Sequence, residues 1–279
     1  MKRFGVGVIS SLLFALVTNS RVEAFVFPNV TPDPDAPSYL FLEGVPITFL
    51  KRSETTGGRY TLAQLVLPPG TGVLPRIHHY ENEWIYIEEG NPQLLIGENT
   101  YSGSNEIPGV NAPRDRIHAF NATPGTLFYA EQHRIRAGIN PGTTPVKALV
   151  VWAPAGFENI FKEVSPLVPD LSNLPPFNPE ILSLYASAAP KYGITASSSL
   201  EEFGDIVVDN NFPYPDNHAN ELLSLLGENA TSVPEYSSPG AMLAFGALAA
   251  ISILKRKRNE GCVAKKYKNI VLRTRIYST

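Results

Sequence analysis

The sequence predicts an all-β fold, a sandwich or barrel of short strands, and three observations carry that expectation. From Ile47 to Phe161 the chain runs in short segments rich in Val, Ile, Leu, Tyr and Thr, residue types that fit a pleated, half-buried surface. Gly and Pro separate these segments, which is turn chemistry recurring at strand-length intervals. No helical periodicity alternates with them, which argues against βα units and a parallel sheet. With 279 residues and 43% hydrophobic content, the chain can bury a full core around such strands.

The elements follow in order. Lys2 and Arg3 precede an apolar run from Phe4 to Val17 and the small-residue ending Val22-Glu23-Ala24. That is the layout of a secretory signal over residues 1–24, and the run is shorter than the roughly 20 residues a spanning helix needs. Residues 25–44 contain "FPNVTPDPDAPSYL", too proline-dense for a long helix and best described as an extended arm. The expected barrel occupies residues 45–165. Its clearest strands are "RYTLAQLVL" (59–67), "EWIYIEE" (83–89), "QLLIG" (93–97), "RIHAFNA" (116–122), "TLFYAEQ" (126–132) and "VKALVVWAP" (146–154). Residues 166–232 begin as a Pro-rich linker and continue into "NPEILSLYASAAPKYG". Asn ahead of a first-position Pro, with Glu in the first turn, predicts a helix that Pro190 ends early. A second helix is predicted at "DNHANELLSLLG", between an Asp cap and a Gly stop. This region has too few apolar residues for a domain of its own and is expected to lie against the barrel.

Charge is unevenly distributed. Residues 25–238 hold 24 acidic and 11 basic residues, a net of −13, whereas residues 255–279 hold nine Lys or Arg against one Glu. The acidic body argues against a nucleic-acid or anionic-membrane partner for that part. Cys262 is the single cysteine, so no intramolecular disulfide can form. Within residues 233–258 the apolar stretch Pro239–Leu254 is 16 residues long, marginal for a bilayer span. Val233-Pro234-Glu235, this stretch and the basic cluster Lys255–Arg258 together resemble the PEP-CTERM sorting signal. The resemblance implies an exosortase-type processing enzyme as a partner. It also implies export to the cell envelope or beyond, with anchorage by the C-terminal helix before processing. Tyr236 stands where that motif has Pro, and a basic tail, residues 259–279, follows the cluster.

The chemistry concentrates in "GTGVLPRIHHYENEWIYIEEG", residues 70–90. Alternation along a strand puts Arg76, His78 and Tyr80 on one face and His79 on the other. Glu83 starts the next strand and His118 lies on a further one, within "DRIHAF". Two imidazoles and a carboxylate from three strands can converge inside a barrel, a ligand set that suits non-haem iron, while imidazole also suits Zn, Cu and Ni.

These positions resemble the cupin family. Its first motif, G-x5-H-x-H-x4-E-x6-G, falls on Gly70, Arg76, His78, Glu83 and Gly90 with every interval kept and the first histidine replaced by Arg76. Its second, P-x-G-x2-H-x3-N, is placed on Pro113, Asp115, His118 and, one position early, Asn121. The resemblance implies a jelly-roll β-barrel, or double-stranded β-helix, with a short helical C-terminal extension. "TGGRYTLAQLVLPPG" (56–70) and "VVWAPAGFENIFKEV" (150–164) look like small single-domain proteins related to quercetin 2,3-dioxygenase. Carried over residue by residue, the metal ligands are His78, Glu83 and His118. The metal is then a divalent transition ion (Fe, Mn, Ni, Cu or Zn), and Glu83, Arg76 and Tyr80 are the candidate catalytic residues. The implied activity is a metal-dependent dioxygenase acting on an enolic or phenolic substrate. Cupins often pair through their sheets, so a homodimer is an expected partner.

Arg76 has no lone pair to offer a metal, and three arrangements stay open. Arg76 could pair with Glu83 and leave the barrel metal-free, or turn to the mouth beside a three-ligand site, or leave a shifted site that recruits His79. Three function classes stay open as well: the dioxygenase, a metal-free cupin holding a small ligand or glycan, and a non-catalytic matrix or surface protein. Tyr80 fits core packing or acid–base work. Trp84, Tyr86, Phe120, Phe128 and Tyr129 fit a core or a pocket lining. His133 and His218 are expected to be surface or structural residues, and Arg114 and Arg116 to be solvated or to bind an acid.

Overall fold

A computed structural model describes residues 25–227 of the chain apart from 42–43, 104–105, 177, 198 and 209–215. The expected secretory signal, sorting signal and basic tail lie outside the described residues. Among the described residues no helix is long and apolar enough to cross a membrane.

The chain begins with β1 (Ser38–Leu40), β2 (Pro46–Lys51), α1 (Ser53–Thr56), β3 (Thr61–Leu67), β4 (Gly72–His78) and β5 (Asn82–Glu89). It continues through β6 (Gln93–Thr100), β7 (Asp115–Asn121), β8 (Leu127–Ala130), β9 (Arg134–Ile139) and β10 (Val146–Ala153). The C-terminal part adds α2 (Glu158–Val164), α3 (Glu180–Ala188), a 3-10 turn over Ala189–Tyr192, β11 (Ile194–Ala196), α4 (Leu200–Phe203), β12 (Gly204–Val208) and α5 (Ala219–Leu226). These strands form two six-stranded sheets, ordered β1-β2-β3-β10-β5-β8 and β11-β4-β9-β6-β7-β12. The crossovers between the facing sheets make a jelly roll, the all-β class expected from the strand pattern.

Alternation within each strand sorts the core into layers. Between the sheets, Ile47, Phe49, Leu65, Val150 and Trp152 pack with Phe157, Ile160 and Phe161 of the α2 region and Tyr185 of α3. Phe120 and Phe128 stack at a centroid distance of 5.6 Å, and Phe128 packs with Ile87, Leu94 and Ile96. Trp84 and Tyr129 are buried on the outer face of the first sheet, 4.9 Å apart, under Leu222 and Leu226 of α5. Tyr86, on that same face, is met by Phe25 and Phe27 of the N-terminal arm. These three aromatics form a second core layer and do not line the barrel interior. The acidic, Pro-rich arm is therefore a cover for the sheet.

The region after residue 165 is more than a helical appendage. It supplies β11, antiparallel to β4, and β12, parallel to β7, so both edges of the second sheet come from it. Asn178 Oδ1 accepts from the Glu180 amide at 3.0 Å and opens α3 as the sequence predicts. The helix ends at Ala188, two residues before Pro190. Gly227 follows α5 as expected, but His218 takes the capping position, with Asp216 accepting from its amide at 3.0 Å.

Candidate functional site

β4 and β9 are antiparallel neighbours, and their register sets Arg76 directly opposite Arg136. Like charges in that relation repel. The facing sheet supplies the remedy: Glu83, at the start of β5, accepts from Arg76 Nη2 at 2.6 Å through Oε1 and from Arg136 Nη1 at 3.2 Å through Oε2. All three side chains are buried. Arg136 also donates to the carbonyls of Glu131 and Arg134, so its fork is fixed on three sides.

His78 lies two residues beyond Arg76, on the same face and fully buried. Arg76 Nε donates to His78 Nε2 at 2.9 Å. A guanidinium can only donate, so Nε2 carries the lone pair and the ring proton sits on Nδ1, which donates to Glu81 Oε2 at 3.1 Å. Burial, with Arg136 and Arg76 nearby, holds the His78 imidazole well below the usual histidine range. Burial also pushes the Glu81 carboxyl up to about 8, against the pull of Arg136 and with Glu83 and Glu158 adding to the rise. Burial lowers Arg136 from its usual value while Glu83 opposes the change.

The expected metal-ligand set does not assemble. Glu83 and His78 do meet, with Nε2 and Oε2 3.8 Å apart, but both carboxylate oxygens and the His78 lone pair are engaged by guanidiniums. His118 does not join them. It pairs with Ile96 of β6, and Ile96 pairs with Arg136 of β9. Two strand spacings, on the order of 10 Å, therefore part it from Arg136, and its Nε2 meets Glu98 Oε1 at 2.6 Å. Among the described residues no group of three or more His, Cys, Asp or Glu is placed to hold a metal ion. The donors present do not fit a divalent ion, because two fixed cations stand where further ligands would be needed.

The register also corrects the placement of the second motif. P-x-G-x2-H-x3-N fits residues 131–140 with every interval kept, on Glu131, His133, Arg136 and Asn140. His133 stands at the glycine position with φ 66°, the left-handed backbone that favours glycine there. Asn140 is buried and donates to the carbonyls of Leu67 and Thr144 at 2.9 and 2.8 Å. Arg136 occupies the histidine position, so both motifs carry arginine in place of a ligand. Of that motif's four residues only Asn140 is present here, so Arg136 left almost no signal in the sequence, and the partial match around His118 obscured it.

Other expectations resolve individually. Tyr80 is 55% exposed and does not share the inner face: β4 ends at His78, and the Tyr80 ring lies against Gly193, where a Cβ would fall 2.5 Å from it. It is placed for neither acid–base work inside the barrel nor core packing. His79, just past the end of β4, meets Thr195 of β11, the register partner of Ile77, and so lies on the face opposite Arg76 and His78. Arg114 binds Asp205 at 2.9 Å and the Glu201 and Gly204 carbonyls, which ties β12 to the barrel. Arg116 reaches Glu98 at 3.4 Å from an exposed position. His218 is structural, its ring 4.2 Å from that of Tyr129.

Between the sheets lies a cavity of about 40 Å³. Arg76, Glu83 and Arg136 line one end, and Leu65, Ile85, Ile87, Leu94 and Val150 are among its apolar walls. Trp152, directly opposite Glu83 in register, also lines it. Its buried Nε1 has no hydrogen-bond partner among the described residues.

No protein-family model and no curated protein matches the chain. Solved structures similar to it include a predicted oxalate decarboxylase from Thermotoga maritima, at 18% identity and a TM-score of 0.34 over 45% of this chain and 99% of that one. KdgF from Halomonas sp. is similar at 11% identity and a TM-score of 0.35 over 47% and 99% of the two chains. A Klebsiella pneumoniae protein with a double-stranded β-helix domain is similar at 12% identity and 0.29, over 46% and 84%. The strand order of the two facing sheets makes this fold a jelly roll of the double-stranded β-helix kind.

Proposed function

We propose that this chain is a cupin without a barrel metal that binds a small carboxylate with a short apolar group between its sheets. The observation that carries the reading is the sharing of one carboxylate, Glu83, by two buried guanidiniums, Arg76 and Arg136. With His78 neutral and Glu81 held protonated up to about pH 8, that end of the cavity keeps one uncompensated positive charge. A buried charge without a partner is costly, and an anionic ligand supplies the partner. Trp152 lines the same cavity and stands opposite Glu83 in register, so its fluorescence reports on what enters there. The apolar walls and the small volume favour a short hydrocarbon group over a glycan. The dioxygenase reading loses its support with the ligand set.

The secretory layout of residues 1–24 and the sorting-signal resemblance of residues 233–258 support a place for this binding protein outside the cytoplasm. An exosortase-type enzyme would process it there.

The test uses the full chain carrying W84F, which leaves Trp152 as the single tryptophan. Acetate is expected to change Trp152 fluorescence saturably, ethanol to do so at least tenfold more weakly, and R76Q to abolish the difference between them. Equal responses to acid and alcohol would overturn the reading. So would a metal ion in the purified chain whose retention depends on His78 and Glu83.

A further inference from the structure

We propose that His79 and His133 form a binding site for one divalent transition-metal ion on the outer face of the second sheet, apart from the barrel interior. The chain has five histidines, and these two are brought together from positions 54 residues apart, with Nδ1 of one 3.1 Å from Nδ1 of the other. Two imidazole nitrogens bound to one ion at about 2.0–2.1 Å lie roughly 2.9–3.4 Å apart for square or tetrahedral angles. The observed separation falls within that range.

Both residues are held by backbone as well as side chain. The His79 amide donates to the Gly193 carbonyl at 2.7 Å, and the His133 amide to the His78 carbonyl at 2.7 Å. His133 keeps a left-handed conformation, φ 66°, a strained choice for a residue with a side chain. Its ring stands 5.3 Å from that of His79 with the planes tilted by 46°. On its far side, His79 Nε2 lies 2.9 Å from Thr195 Oγ1 of β11. A hydroxyl there can accept the Nε2 proton and so fix the tautomer that leaves Nδ1 free to ligate, the orienting role outer partners serve in metal sites.

Without an ion, the two Nδ1 atoms must share one proton, one ring donating and the other accepting. An ion replaces that proton and takes both lone pairs, with water completing its coordination. Two neutral imidazoles favour Zn2+, Ni2+ and Cu2+ over Mg2+ or Ca2+. The ion would join the end of β4 to the β8–β9 loop. Through Thr195 it would also steady the β11 edge, where the C-terminal extension meets the barrel.

The test is titration of the metal-stripped full chain with ZnCl2 by calorimetry, beside electron paramagnetic resonance of the chain loaded with one equivalent of Cu2+. One saturable Zn2+ equivalent is expected, weakened at least tenfold in H79N and in H133N and unchanged in H118Q. Asparagine suits position 133 because it tolerates positive φ. The Cu2+ spectrum of the unsubstituted chain should show two imidazole nitrogens, a readout independent of how the variants fold. Absence of saturable Zn2+ binding, survival of full affinity in both Asn variants, or loss of binding on H78Q with H79N unaffected would each overturn the proposal.

Discussion

Replacing Glu83 by Gln would leave Arg76 and Arg136 side by side with no carboxylate between them. Both guanidiniums are buried, and breaking a buried ion pair from one side costs about 3–5 kcal/mol. E83Q is therefore expected to lower the urea-unfolding free energy by about that amount. R76Q, which leaves the Arg136–Glu83 pair intact, should cost less; equal losses would mean that the carboxylate does not bridge both arginines. At this scale the sequence made half of the site legible. Arg76, His78 and Glu83 stand at unbroken motif intervals, and the structure brings them together. Arg136 was hidden because a competing partial motif ended on His118, and only the pairing of β4 with β9 shows which of the two faces Glu83.

At the scale of elements, α5 packs its Leu222 into the layer formed by Trp84, Tyr129 and Val151. Leu222 is fully buried, whereas its neighbour Leu223 is 40% exposed. Truncating a buried leucine to alanine costs about 2–5 kcal/mol through lost transfer energy and the cavity left behind, while exposed positions change by about 0.5 kcal/mol or less. L222A is expected to lower the thermal midpoint clearly and L223A hardly at all, measured by circular dichroism. Similar midpoints would show that the helix does not seal the sheet. The pairing of β11 and β12 with the barrel strands followed from no sequence signal. Both are short, and a three-residue strand such as β11 has too little alternation to stand out. Their place is set by hydrogen-bond partners already waiting on β4 and β7.

At the scale of the whole molecule, two buried groups shape the dependence of stability on pH. The Glu81 carboxyl, raised to about 8, keeps its proton in the folded state while the unfolded chain loses it near the ordinary carboxylate value. Stability therefore falls as pH rises, until the folded carboxyl has titrated. His78 works in the opposite direction: it stays neutral when folded, so stability is lost as pH falls below the ordinary histidine value, where the unfolded ring takes a proton. Between about pH 6.5 and 8 the Glu81 contribution declines by about 2 kcal/mol. Urea titrations of the wild-type chain should show that decline, and E81Q should flatten it; a decline unchanged in E81Q would assign it to another group. The cavity is a property of the same scale. Its charged end comes from three strands in two sheets, and its walls come from both.

The sequence by itself determined the all-β class, most of the barrel strands and the first motif, because alternation, turn residues and fixed intervals are local properties of the chain. Tertiary structure alone decided what those residues do. It set Arg136 opposite Arg76, gave Glu83 to both, left His118 with Glu98, and brought His79 to His133 across 54 positions. The physical reason is that register and sheet-to-sheet packing fix which side chains share a space, and neither is written in any short stretch of sequence.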